Sequence, residues 1–333
     1  MSVTVVGSIA FDAINTPFGE RERALGGSAV HFSLAASYFT EVRPVGPVGD
    51  DFGEREYETL RRHGVVTDDI EHVEGGQTFF WSGKYEWDLN TAHTLDTQLN
   101  VFGDFEPKLS QASRDCDLLF LANIQPDLQR DVRGQCEAAQ LAALDSMNFW
   151  IESARDSLVE TISGVDMVLM NDAELRMLTE EPNLVKAARA VRAMGPRVVI
   201  AKQGEYGAAL LTDDVFFALP AYPLENVVDP TGAGDTFAGG FFALPAYPLE
   251  TVRDPTGAGD SFAGGLMGYL DSQEGAVDDA TLRRAMAYGS TLASFWVEEF
   301  GCERAQNLTR EEIDERYEQF KRITAIDSVP TTG

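Results

Sequence analysis

The run Asp254-Pro255-Thr256-Gly257-Ala258-Gly259-Asp260, continued by Ser261-Phe262-Ala263-Gly264-Gly265, narrows the choice of folds more than any other stretch. Its small residues let the backbone come very close to a ligand, and the apolar run after them reads as a helix whose first N–H groups lie unpaired at that turn. Those N–H groups and the positive end of the helix dipole make an anion site suited to phosphate. A carboxylate set among them, Asp260, would compete with the anion unless it takes a proton from an attacking group. The pattern therefore points to phosphoryl transfer.

The same unit stands twice. Residues 216–240 and 241–265 form a tandem repeat of 25 residues that differs only at Asn226/Thr251, Val228/Arg253 and Thr236/Ser261. Asp235, with Gly232, Ala233 and Gly234, is thus a second candidate for the base and its anion site. Two copies are too few for a solenoid. A fold that needs one unit can draw its first part from copy one and the rest from copy two, and closing a flexible loop of the extra length costs on the order of 3 kcal/mol. Continuity of the following helix favours Asp260. After copy two the chain runs from Phe262 to Leu270 without a break, whereas Pro245 and Pro248 stop a helix early after copy one.

Upstream, Thr4 to Ile9 reads as a strand, followed by Phe11-Asp12 where a parallel strand opens toward a ligand; Asp12 is either an acceptor contact or a turn residue. Gly26-Gly27-Ser28 precedes a helix reaching about Phe39, with Ser28 as its N-cap. His31 lies inside that helix and reads as a core or interface histidine. Gln77 to Phe102 is rich in aromatic strand formers and reads as a small antiparallel sheet, either a lid or a dimer interface. From Asp117 onward strands and helices alternate, which implies a parallel sheet covered on both faces. Helices are expected over 127–142, 156–162 and 184–194, with strands over 118–124, 144–147, 167–170 and 198–201. Asp213-Asp214 marks a hairpin. Asn171 and Glu174 either close a capping box or orient water around a magnesium ion at the carboxyl end of the sheet.

The formal net charge of −28 argues against nucleic acid or an anionic membrane as a partner, since both need a basic face. No apolar run approaches the ~20 residues of a membrane span, and the start lacks the basic region of a signal peptide, so a cytoplasmic location is expected. Cys116, Cys136 and Cys302 are odd in number and widely spaced, which suits buried thiols rather than a disulfide framework or a zinc site. Neither a P-loop nor a dinucleotide-binding G-x-G-x-x-G is present.

Gly7 to Asp12, Gly26-Gly27, Gly46 to Asp50, Asn171 to Glu174, Lys202 to Gly207 and the doubled Asp-Pro-Thr-Gly-Ala-Gly-Asp stand in an order that resembles the ribokinase-like, or PfkB, carbohydrate kinases over nearly the whole chain. The last motif is highly specific and the others individually weak. The resemblance implies one domain over 1–333, an α/β fold with a doubly wound, mostly parallel sheet, and a small β lid from about 12–25 and 77–102. It also implies transfer of the γ-phosphoryl group of ATP to a hydroxyl of a small sugar or sugar derivative. On this resemblance Asp260 matches the base and Gly257, Ala258 and Gly259 the anion hole. Asp12, Gly26 and Gly27 match the acceptor contacts, Lys202, Gly204 and Thr256 the nucleotide contacts, and Asn171 and Glu174 a magnesium-associated pair. Where the family carries Asn shortly after the two glycines, His31 stands near that place. A nucleoside kinase and an inactive binding protein are the alternatives, and the lid is a candidate homodimer surface.

Overall fold

The structure, a computed structural model, describes residues 2–17, 19–85, 92–222, 257–275 and 277–324. Asp235, Gly232, Ala233, Gly234 and Thr256 lie outside the described residues.

Among the described residues thirteen strands fall into two sheets. In chain order they are β1 (Ser2–Val6), β2 (Ala10–Thr16), β3 (Gly19–Gly26), β4 (Glu41–Val48), β5 (Ile70–His72), β6 (Phe79–Tyr85), β7 (Ala92–Gln98), β8 (Leu118–Leu121), β9 (Leu141–Asp145), β10 (Met167–Asn171), β11 (Val198–Lys202), β12 (Ala208–Leu211) and β13 (Phe216–Leu219). The larger sheet has the order β13-β12-β11-β10-β9-β8-β1-β4-β5. Its pairings are parallel from β5 to β11 and antiparallel at β11–β12 and β12–β13. The last of these is the hairpin expected around Asp213-Asp214.

Alternate residues of the strands enter opposite cores, as the period of two requires. Val3, Val5, Leu118 and Phe120 pack on one face with the helices Ser28–Ala36, Ala258–Asp271 and Asp279–Trp296. Val6, Leu119 and Leu121 pack on the other with Pro126–Gln135, Arg155–Ser163 and Leu184–Arg192. Helices on both faces make the sheet doubly wound. Strand order reverses between β1 and β8, and the crevice at such a switch point, outside the carboxyl ends of the strands, is where ligands bind.

The smaller sheet has the order β3-β2-β6-β7. The antiparallel pairing expected over 77–102 is that of β6 with β7; β2–β3 is a second antiparallel hairpin, and β2 joins β6 in parallel. Ile14 and Tyr85 on this sheet bury themselves against Phe300, and Arg21 pairs with Glu303 at 2.8 Å.

Two expectations are corrected. The helix over 127–142 ends at Gln135, and Leu141-Ala142-Ala143-Leu144 belongs to β9. Its residues are good helix formers, but β9 lies between β8 and β10 with every residue buried, and burial in a sheet centre outweighs propensity. Ser28 is not an N-cap. Gly27 holds that position, and Ser28 instead bonds Ser8, accepting from the Ser8 N–H at 3.1 Å and donating its own N–H to Ser8 Oγ at 3.0 Å. That pair fastens the loop after β1 to the helix behind it. All three cysteines are buried and free.

Candidate active site

Four parallel strands deliver side chains to one edge. Asp145 closes β9, Asn171 closes β10, Lys202 closes β11, and the chain leaving β1 turns through Gly7-Ser8 into β2, which carries Asp12. Opposite them stands the start of the helix Ala258–Asp271.

Gly257 is the N-cap of that helix, with φ 80° and ψ 3°, and no side chain caps it. The first helical bond runs from the Ser261 N–H to the Gly257 carbonyl at 2.8 Å. The N–H groups of Ala258, Gly259 and Asp260 precede it and so have no partner within the helix, which is the anion-binding geometry of a helix N-terminus. A Cβ at Gly257 would run into the ring of His31. The turn is therefore glycine for two reasons, its left-handed backbone and the ring beneath it. Further along, Gly264 and Gly268 lie directly against Phe32, Ala35 and Ala36. The absence of side chains there lets the two helices approach closely, and that approach sets His31 under the turn.

On the smaller sheet, the Asp12 carboxylate lies over Gly26, where any Cβ would collide with it. Gly27, with φ 93°, turns the chain from β3 into the helix that carries His31. The expected acceptor residues Asp12, Gly26 and Gly27 are thus brought together. His31 Nε2 lies 4.0 Å from Asp12 Oδ2. On the other side of the ring, the indole N–H of Trp296 donates to Nδ1 at 3.1 Å and Cys302 Sγ stands 3.4 Å from the same nitrogen. Burial works against a charge on this ring, and Cys302, Asp12 and Asp260 outweigh it, so His31 is more basic than an ordinary histidine.

Lys202 donates to Asp145 Oδ2 at 2.6 Å. Burial alone would lower the lysine pKa, but Asp145, Glu174 and Asp260 raise it, so the ammonium stays charged. Asp260 is half-buried, and loss of solvent, which comes first among the causes, pushes its carboxyl up to about 6. Asp145 and Asp12 add to the rise, while His31 and Lys202 oppose it. A carboxyl poised there is ionised at neutral pH and still basic enough to accept a proton.

Asn171 and Glu174 form a full capping box: Asn171 Oδ1 accepts from the Glu174 N–H and Glu174 Oε2 accepts from the Asn171 N–H, each at 2.7 Å. Both side chains are buried. Gly204 follows Lys202 on the turn leaving β11, with φ 54°. Asp145 was missed by sequence reasoning because a lone aspartate ending a strand carries no motif; its meaning appears only when parallel pairing sets it beside Lys202.

Residues 2–244 and 242–309 match the family model of the pfkB family carbohydrate kinases. The chain belongs to that family. Among curated relatives of this kinase, the cytidine kinase of Thermococcus kodakarensis is 26% identical over 246 residues, 72% of this chain and 87% of the relative. In fold it is similar to the nucleoside kinase of Methanocaldococcus jannaschii, with a TM-score of 0.71 at 18% identity, covering 96% of this chain and 98% of that one. The nucleoside kinase of Burkholderia thailandensis in complex with inosine gives 0.70 at 19% identity, covering 95% and 97%. No helix among the described residues is long and apolar enough to cross a membrane.

Proposed function

We propose that this PfkB kinase moves the γ-phosphoryl group of ATP to a hydroxyl of a ribonucleoside, with Asp260 as the base. The observation that carries the reading is the placement of the Asp260 carboxyl and the unpaired N–H groups of one helix start in the same turn, within electrostatic reach of Asp12. Asp260 takes the proton as the acceptor oxygen attacks, and the amides at Ala258 and Gly259 stabilise charge on the transferred group. Lys202, Gly204 and Thr256 are assigned to the nucleotide side, Asp12, Gly26 and Gly27 to the acceptor side. The similarity to a cytidine kinase and to nucleoside kinases supports a nucleoside acceptor; a free sugar is the second reading, supported by the match to the carbohydrate kinase family.

Magnesium usually keeps several waters and takes only one or two carboxylates besides the phosphates. Among the described residues no group of three His, Cys, Asp or Glu could enclose a metal ion, and Glu174, at the carboxyl edge of the sheet, suits that sparse requirement. A magnesium ion there would neutralise phosphate charge, with Asn171 and Glu174 ordering its waters.

Incubation with ATP, magnesium and a panel of ribonucleosides and sugars, read by mass spectrometry, tests the assignment. Phosphate gained by a ribonucleoside supports it. Transfer to free sugars alone favours the second reading, and binding of ATP with no transfer favours an inactive binding protein.

A further inference from the structure

We propose that Cys116 and Cys136 are a redox-sensitive pair, closing under peroxide to a disulfide that staples the start of β8 to the end of the helix Pro126–Gln135. The proposal concerns the end of the sheet away from the candidate active site and does not depend on the acceptor.

The fold brings the two thiols together at the amino ends of the strands. Cys116 stands two positions before β8, and Cys136 is the C-cap of the helix that follows β8. The carbonyl of Asp117, next to Cys116, accepts from the Gln140 N–H at 2.8 Å, and Asp117 Oδ1 accepts from the Gln140 side-chain amide at 3.2 Å. Cys136 precedes Gln140 by four positions and is tied to that turn, its carbonyl accepting from the Ala139 N–H at 3.2 Å. These bonds set the starts of β8 and β9 side by side, and the two cysteines with them. Both pack in one core, and the Ser113 carbonyl accepts from Thr4 Oγ1 at 2.9 Å and from the Cys136 thiol at 3.8 Å.

The two sulfurs also hydrogen-bond each other. That contact draws the Cys116 thiol down to about 7, against the rise that burial alone would give, and Thr4 adds to the pull. The same contact holds Cys136 above an ordinary thiol. One sulfur is disposed to lose its proton and the other to keep it, which is the asymmetry of a nucleophile and its resolving partner. Cys302 packs in the core on the other face of the sheet, so the sheet separates it from the pair.

Burial selects the oxidant. Cys116 is 2% exposed and Cys136 0%, which shuts out bulky disulfides and favours a small peroxide. The Cys116 thiolate attacks one oxygen of hydrogen peroxide, the O–O bond breaks, and the hydroxide released takes up a proton as water. The Cys136 sulfur then attacks the sulfenic sulfur, and its proton leaves with the hydroxyl as a second water. The two thiols have given up two electrons, and the peroxide has accepted them. The bond closes a loop containing β8 and its helix, and such a link stabilises by restricting the unfolded chain.

The test treats the whole chain with hydrogen peroxide, removes the peroxide with catalase, denatures the protein in iodoacetamide and maps its peptides by mass spectrometry. A peptide linking Cys116 to Cys136, lighter by two hydrogens, with Cys302 alone alkylated, is the expected result. The melting temperature is expected to rise by about 5 °C on oxidation and to return after a dithiol reductant. Cys302→Ser is expected to behave as the wild type. Cys136→Ser is expected to leave Cys116 as a sulfenic or sulfinic acid with no rise in melting temperature; should that variant fail to fold, the wild-type and Cys302→Ser maps decide. Three alkylatable thiols after peroxide, a link between two chains, or a link formed only in denatured protein overturns the proposal. A link without any rise in melting temperature overturns the staple.

Discussion

Lys202 Nζ lies 2.6 Å from Asp145 Oδ2 although 57 positions separate them in the chain, and both side chains are largely removed from water. Breaking such a pair leaves a buried charge without compensation, which typically costs 3–5 kcal/mol, whereas removing both charges costs much less. Asp145→Asn is therefore expected to lower the unfolding free energy by about 3 kcal/mol. Adding Lys202→Met to it should restore part of the loss. Denaturant unfolding of the two single variants and the double variant measures the coupling; additive effects would contradict the pairing.

The Asp260 carboxyl, pushed up to about 6, sets two pH dependences. With Asp260 as the proposed base, turnover uses the ionised form, so kcat is expected to fall about tenfold per pH unit below about 6. Stability runs the other way. The folded state binds this proton more tightly than the unfolded chain, so the contribution of Asp260 is favourable below the ordinary carboxyl range and is lost as pH rises through about 6. Asp260→Asn should consequently be more stable than the wild type at pH ~8, by on the order of 1 kcal/mol once half-burial is allowed for. Thermal unfolding at two pH values checks the sign.

Gly257→Ala places a Cβ both in a left-handed backbone and against the His31 ring. Strain of this kind costs about 1–3 kcal/mol. The turn is expected to shift, with kcat/KM reduced about hundredfold, since misplacement of donors by an ångström has that effect. Unchanged circular dichroism would confine the loss to the site, and near-wild-type activity would contradict the assigned anion turn.

The duplication makes a separate prediction. β13 begins copy one at Phe216, and the helix start at Gly257 belongs to copy two. Deleting residues 223–247 restores one uninterrupted unit between them. Activity within a few-fold of wild type and a melting temperature equal or higher are expected, because a shorter connection costs less closure entropy. Loss of folding on deletion would show that the second copy is structurally required.

Much of this was legible from residues alone, for identifiable reasons. The apolar runs at Val3-Thr4-Val5-Val6 and Leu118-Leu119-Phe120-Leu121 are short and continuous, as buried parallel strands require. Asn171 and Glu174 announced their capping box by spacing, and the box is formed. The helix after Gly257 followed from the unbroken apolar run. What stayed hidden depends on distance in sequence. The start of β9 was read as the end of a helix because Leu141 and Ala142 favour helix until two neighbouring strands bury them. Asp145 needed Lys202, and His31 needed Trp296, 265 positions away, before either acquired meaning. Such pairings are set by topology, which no local window contains.

The most direct test of the central claim is turnover of cytidine with ATP by Asp260→Asn and Asp235→Asn, measured beside the wild type. The account predicts that Asp260→Asn lowers kcat by at least about a thousandfold while ATP binding persists, and that Asp235→Asn retains most of the activity. Full activity in Asp260→Asn with loss in Asp235→Asn would contradict it and assign the chemistry to the first copy.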